Sequence, residues 1–187
     1  MKKLILAPLI LCVLCISCVE ARKADESVIA FNDRLVERLK VSQAPFEKWW
    51  ETLAPWYAGE RLERAVVEKN FAELRQTHQR IYAELLELEV PEKEVCEDFY
   101  DAVMAYLAVD REIIAAYEGA LKYIFANNPA ANKRDISYVN GAVDPVLARQ
   151  EAILERIALL QEKLAETHGF TLRGTNRINV VVASDPE

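Results

Sequence analysis

The sequence contains few of the residues from which metal, redox and disulfide sites are built. Its 187 residues include only two histidines and four cysteines. Three of the cysteines, Cys12, Cys15 and Cys18, lie near the N-terminus, so that Cys96 is the single thiol in the rest of the chain. A lone cysteine cannot form an intrachain disulfide, and we expect packing alone to hold the core together.

Recognisable catalytic motifs are absent as well. The sequence contains no G-x-S-x-G, no Walker phosphate loop, no Rossmann glycine pattern and no C-x-x-C-H haem motif. Neither histidine follows a glutamate at the three-residue spacing of di-iron helical proteins. Glu94, Glu97 and Asp98 lie close to Cys96 and should raise its pKa, which favours a passive half-buried thiol over a nucleophile. The sequence therefore predicts a protein that is not an enzyme and binds no cofactor.

Glycine and strand-like segments are also scarce. Only five glycines occur, and long stretches place apolar residues at the three- and four-residue spacing of a helix face. This pattern predicts an all-α fold: an elongated antiparallel four-helix bundle with an extra short helix and an extended C-terminal tail. The predicted helices cover about 27–41, 45–54 (the short one), 60–89, 92–126 and 145–168, with a further helical piece after Asp135.

Two polar residues interrupt the apolar helix faces. For His78 we considered two roles: a ligand or proton carrier inside the bundle, or a histidine hydrogen-bonded to a neighbouring helix. Asp110 is expected to pair with a basic or amide side chain on a facing helix, because a buried carboxylate without a partner is costly. A hairpin centred on Val90 would place the two residues about 12 Å apart along the helix axis, too far for a hydrogen bond.

The segment FEKWWETLAPWY contains all three tryptophans of the chain. Trp49, Trp50, Trp56 and Tyr57 are candidates for an aromatic patch that binds a partner protein, a glycan or a lipid surface. The alternative is that two of the tryptophans pack in the core and one lies at its rim. Neighbouring residues on a helix point about 100 degrees apart, so Trp49 and Trp50 cannot both face the centre of the core.

The first residues of the chain follow the order of a secretory signal. Lys2 and Lys3 precede an uninterrupted apolar run over 4–19, and small or polar residues come next. The run is shorter than the roughly 18 residues of a spanning helix, and it contains Pro8. Cys12 and Cys15 lie inside this run and would be removed with the signal.

Cys18 stands where the apolar run ends and directly follows the small residue Ser17. The segment Cys15-Ile16-Ser17-Cys18 resembles the lipobox of bacterial lipoproteins, although a cysteine stands at position 15 where leucine is usual. The resemblance implies cleavage before Cys18, acyl chains on its thiol and, since Val19 follows, an outer-membrane location. The alternative is cleavage by ordinary signal peptidase after Ala21, which would give a secreted or soluble periplasmic protein.

The part of the chain from Cys18 onward is acidic. Without Lys2 and Lys3 it has 21 lysines and arginines against 30 aspartates and glutamates, a net charge of −9. Such a surface disfavours nucleic acid and anionic lipid as partners. The predicted organisation is a signal peptide (1–17), a polar tether (18–26), a helical domain (27–170) and an extended or disordered tail (171–187).

We therefore expect a non-enzymatic lipoprotein of the bacterial cell envelope. It would be held at the membrane by lipid on Cys18 and would act as a binding or assembly module with an envelope protein as partner. The alternative is a soluble periplasmic bundle that binds a small ligand or metal at His78.

Overall fold

The computed structural model describes residues 25–127, 133–173 and 177–178. They form four helices, α1 (Glu26–Tyr57), α2 (Arg64–Leu86), α3 (Glu94–Asn127) and α4 (Lys133–His168), and no β-strand occurs among them. The all-α prediction is confirmed. The predicted signal peptide, Cys18 and most of the predicted tether lie outside the described residues.

The first helix is longer than the sequence predicts. We expected a break before Pro45 and a separate short helix over 45–54, but α1 continues through both Pro45 and Pro55. The prediction of an extra short helix was wrong. Each proline removes one backbone hydrogen bond, yet buried residues on both sides, from Leu39 to Trp49, keep the two halves of α1 on one apolar face. Tertiary burial therefore outweighs the local cost of the prolines.

The last helix likewise begins earlier than expected. Pro145 was predicted to open it, but α4 starts at Lys133 and carries Pro145 in its interior. Val139 and Val143 before the proline and Ile157 and Leu164 after it are all buried. The predicted separate helical piece after Asp135 is thus the first part of α4.

Specific residues set two of the helix ends. Asp25 is the N-cap of α1, and its carboxylate accepts hydrogen bonds from the Ser27 backbone N–H (3.1 Å) and hydroxyl (2.6 Å). At the C-terminus of α4, Gly169 has φ 68° and Phe170 donates its backbone N–H to Ala165 O at 3.1 Å.

The buried side chains form two clusters, each drawing on all four helices. The first core cluster has 17 buried members, among them Phe31, Leu35, Ile81, Phe99 and Ile157. The second has 16, among them Trp49, Trp56, Phe71, Ile113 and Val143. Along α1 and α3 the first cluster precedes the second in sequence. The two clusters therefore meet at one level of the fold, near Leu107 and Val109 on α3.

Candidate functional site

Polar side chains lie at the level where the two core clusters meet, and one of them, Tyr106, is itself a member of the first core cluster. Each helix contributes at least one of them, and four of the six are buried or largely buried. We call this group the polar layer; its members are Ser42 and Gln43 of α1, His78 of α2, Tyr106 and Asp110 of α3, and Gln150 of α4. Because burying polar groups is costly unless they are paired, the contacts within this layer decide what it can do.

Asp110 is fully buried in the polar layer. One carboxyl oxygen, Oδ1, accepts a hydrogen bond from the Gln150 side-chain amide, whereas Oδ2 is buried without a hydrogen-bond partner. Burial raises the pKa of Asp110 to about 8, although the hydrogen bond from Gln150 acts in the opposite direction. The expected amide partner on a facing helix is present, and the carboxyl group is largely protonated at neutral pH.

His78 is also buried, and its Nε2 lies 2.8 Å from the backbone carbonyl oxygen of Leu107 on α3. A carbonyl oxygen can only accept, so Nε2 carries the proton of this hydrogen bond. Burial lowers the pKa of His78, while the hydrogen bond to Leu107 raises it and nearby Arg111 lowers it. The histidine is therefore neutral at pH 7 and joins α2 to α3, as in the second of the two roles considered.

The register between α2 and α3 differs from the expected one. A turn centred on Val90 would place His78 opposite residue 102, but His78 contacts Leu107 and Tyr100 donates to Leu85 O at 2.9 Å. Both pairs place the C-terminal end of α2 beside a part of α3 that lies more than one helical turn after the first residue of α3. His78 and Asp110 thus share the polar layer, about one helical turn apart, although each hydrogen-bonds to a different residue.

Tyr106 extends the polar layer to α1. It is buried and hydrogen-bonds to the side chain of Gln43. Burial, and to a smaller extent the neighbouring Asp110, raises the pKa of the Tyr106 hydroxyl far above its usual range. Tyr106 and Asp110 are consequently both neutral groups, and their hydrogen bonds join α3 to α1 and to α4.

The predicted aromatic patch is mostly part of the core. Trp49 and Trp56 are fully buried in the second core cluster, whereas Trp50 is 37% exposed and Tyr57 is partly buried. Trp50 packs edge-on against Tyr117 with ring centroids 5.6 Å apart, and Tyr57 donates to Asn140 Oδ1 at 3.1 Å. In this conformation Trp49 and Trp56 cannot touch a partner, so the patch is reduced to Trp50 and Tyr57. The alternative of two core tryptophans and one at the rim describes the arrangement.

Cys96 is more deeply buried than expected. Its side chain is fully buried in the first core cluster, and burial raises the pKa of its thiol to about 11, with Asp25 adding to the effect. A thiol that stays protonated inside a hydrophobic cluster is a poor nucleophile. The passive role predicted for Cys96 is consistent with this position.

A groove with charged edges lies between α2 and α3 and has a volume of about 440 Å³. Phe71, Leu121 and Phe125 form its apolar part, and Arg64 lies 5.3 Å from the centroid of the Phe125 ring. Four of the charged residues at its edges form ion pairs, Arg64 with Glu68 (2.7 Å) and Lys122 with Glu118 (3.2 Å), and Arg75 lines it as well. No sequence motif predicts this groove.

Gln150 was not predicted as a site residue, although its position relative to neighbouring apolar residues marks it. Position 150 lies four residues after Val146 and three before Ile153, the spacing at which residues share one face of a helix. A polar residue at a face position is the same signal that identified His78 and Asp110. Gln161 stands in the same way between Ile157 and Leu164.

Within the described residues, no three histidine, cysteine, aspartate or glutamate side chains are grouped so that they could hold a metal ion. None of the described helices combines the length and the apolar character needed to cross a lipid bilayer. Comparison of the chain with protein-family models, curated proteins and solved structures finds no match.

Proposed function

We propose that the chain is a non-enzymatic lipoprotein of the bacterial cell envelope, whose four helices form an elongated antiparallel bundle that acts as a binding or assembly module. The observation that carries this proposal is the lipobox-like segment that ends at Cys18. The outer membrane, with the helical domain facing the periplasm, is the proposed location. The partners are the membrane, through lipid on Cys18, and another envelope protein.

The position of α1 relative to Cys18 supports this arrangement. Glu26 opens α1 only eight residues after Cys18, so a fully extended connection would reach about 26 to 29 Å. Several acyl chains on Cys18 would hold a protein stably at a bilayer, because each buried methylene contributes about 0.8 kcal/mol. The helical domain would then work close to the membrane surface without entering it.

The burial of the titratable groups supports a role without catalysis. His78, Asp110 and Cys96 are all enclosed in the packed interior, where a substrate would have no direct access. The hydrogen bonds of His78 and Asp110 connect helices and do not converge on an open cleft. These groups therefore stabilise one arrangement of the helices, which is what a binding scaffold requires.

Mass spectrometry of the N-terminal peptide from membrane-extracted protein tests the lipid attachment. We expect the mature chain to begin at Cys18 with a diacylglyceryl thioether, and the variant Cys18→Ser to leave the membrane fraction. The matched control, Cys15→Ser, should still be processed before Cys18. A mature chain beginning at Arg22 would refute the lipoprotein proposal and favour the soluble alternative.

That alternative, a periplasmic bundle that binds a small ligand or metal, is favoured by one observation. Asp110 Oδ2 is buried without a hydrogen-bond partner within one turn of His78. A polar ligand or cation at this level would pair with that oxygen. Stoichiometric metal in protein purified without a histidine tag, lost in His78→Ala, would establish this function; metal-free protein would argue against a metal in this role.

A further inference from the structure

The first and last helices are joined by a buried pair of amide side chains. Asn32 of α1 is fully buried and Gln161 of α4 is 1% exposed, and Gln161 Nε2 donates to Asn32 Oδ1 at 2.8 Å. The two residues are 129 positions apart in the chain. Their side chains lie at the edge of the first core cluster, where α1 and α4 meet.

A part of the C-terminal tail occupies this place. The backbone N–H of Ile178 donates to Gln161 Oε1 at 2.9 Å, and the Ile178 side chain is buried in the first core cluster. Next to it, Arg177 forms an ion pair of 2.8 Å with Glu162. The sequence predicts an extended or disordered tail over 171–187, and within it the structure describes 171–173 and 177–178, of which Ile178 packs against the helical domain.

We propose that Asn32, Gln161 and Glu162, with the adjoining apolar surface of α1 and α4, form a peptide-binding site. Its ligand is a short non-helical segment of a partner protein in which a basic residue precedes a β-branched aliphatic residue. In the structure the chain's own Arg177 and Ile178 occupy the site. This inference gives a ligand class to the binding module of the proposed function and therefore rests on that function, but it does not depend on the lipid.

The three contacts explain this choice of ligand. Gln161 Oε1 accepts from a main-chain N–H, so the segment must present an unblocked amide at the aliphatic position. The apolar cluster receives the aliphatic side chain, and Glu162 attracts a cation one residue earlier. Gln161 is itself held by its hydrogen bond to Asn32, so the acceptor is positioned before a peptide arrives.

Binding of a synthetic peptide tests the site in the full-length chain. The probe is a fluorescein-labelled peptide of residues 172–182, and the acceptor is the Ile178→Asp variant, in which a charge at position 178 expels the tail. We expect this variant to bind the probe at least about tenfold more tightly than the natural chain, in which the tethered tail competes at high effective concentration. Folding of the variant is monitored by circular dichroism.

A matched control isolates the main-chain hydrogen bond. The same peptide with N-methylisoleucine at the Ile178 position retains its side chain but lacks the donor, and it should bind at least about tenfold more weakly. Equal binding of the two peptides, or no binding to a folded Ile178→Asp variant, would overturn the proposal. A concentration-dependent dimer of the natural chain that the peptide dissociates would assign the site to a second copy and overturn the partner-peptide ligand.

A second measurement uses the natural chain alone and does not depend on the variant folding. Excess unlabelled peptide should displace the tail and accelerate hydrogen exchange of the Ile178 amide, with little change at the Phe170 amide. Unchanged exchange at millimolar peptide would refute the proposal. A negative result here, together with a lipidated Cys18, would remove the peptide site and leave the lipoprotein proposal standing.

Discussion

At the residue scale, Asp110 shows how burial alone changes the chemistry of a side chain. An exposed aspartate is ionised at neutral pH, but Asp110 forms no ion pair with any residue that the structure describes and accepts a hydrogen bond from the amide of Gln150. Ionising it would place a charge in the interior, so the fold favours the protonated acid. The polar layer therefore stays uncharged, since His78 is also neutral and Tyr106 keeps its proton.

The raised pKa of Asp110 makes the free energy of unfolding depend on pH in a defined direction. The folded-state pKa of Asp110, about 8, is above its ordinary value of 3.8, so the folded chain holds the proton more tightly than the unfolded chain. The stabilisation that this provides is complete below pH 3.8 and is lost as the pH rises through 8. At pH 6.5 we expect the free energy of unfolding to fall by about 1.4 kcal/mol for each pH unit, and this slope to decline to about half by pH 8, where the folded-state carboxyl group is half ionised.

Urea unfolding of the natural chain and of Asp110→Asn at pH 6.5, 7.2 and 8 measures this slope. The variant cannot ionise and should be nearly flat over the range, and more stable than the natural chain at pH 8. His78, whose lowered pKa makes stability fall with acidification toward and below its ordinary value of 6.5, is present in both proteins, so its contribution cancels when the two slopes are compared. Equal slopes for both proteins would show that Asp110 does not carry the effect.

At the element scale, the sequence predicted α2 and α3 closely because their apolar faces are regular and no proline interrupts them. It failed at Pro45 and Pro145, where proline normally ends or kinks a helix. Both prolines lie inside long helices whose two halves bury side chains in the same fold. That compensation depends on the neighbouring helices, and local propensity contains no information about it.

Two glycines give a prediction in which the same substitution has opposite effects. Gly119 lies in α3 with open space around it, whereas Gly59 follows α1 with φ +83°. Gly119→Ala should raise the free energy of unfolding by about 0.5 to 1 kcal/mol, because alanine restricts the unfolded chain and favours the helix. Gly59→Ala should lower it by about 1 to 2 kcal/mol, because a Cβ strains the left-handed conformation. Urea unfolding of both variants decides this, and a stabilised Gly59→Ala would contradict the assigned turn.

At the scale of the whole molecule, the polar layer and the α1–α4 contact follow from the register between helices. Sequence periodicity identified His78 and Asp110 as exceptions, and the same periodicity marks Gln150 and Gln161. Periodicity could not match each of these residues with its hydrogen-bond partner, because the α2–α3 connection shifts the register by about five residues from that of a hairpin centred on Val90. Pairing therefore depends on geometry that only the assembled helices define.

The Asn32–Gln161 pair offers a test of how the first and last helices are coupled. Gln161→Leu removes the bond to a buried amide and the acceptor for Ile178, and should cost about 1 to 3 kcal/mol of unfolding free energy. In the Gln161→Leu variant, Asn32→Leu should lower the free energy of unfolding by less than it does in the natural chain, because its hydrogen-bond partner is already absent. We expect a coupling energy of about 0.5 to 3 kcal/mol between the two substitutions.

The control cycle uses the exposed pair of Glu112 and Arg149, which joins α3 to α4. Replacing each by glutamine should give a coupling of roughly 0.2 to 1 kcal/mol, since solvent screens the two charges. Urea unfolding of all the single and double variants provides both values. If the Asn32 and Gln161 substitutions are additive, the buried amides do not couple the two ends of the chain, and the junction of α1 with α4 depends on its apolar contacts instead.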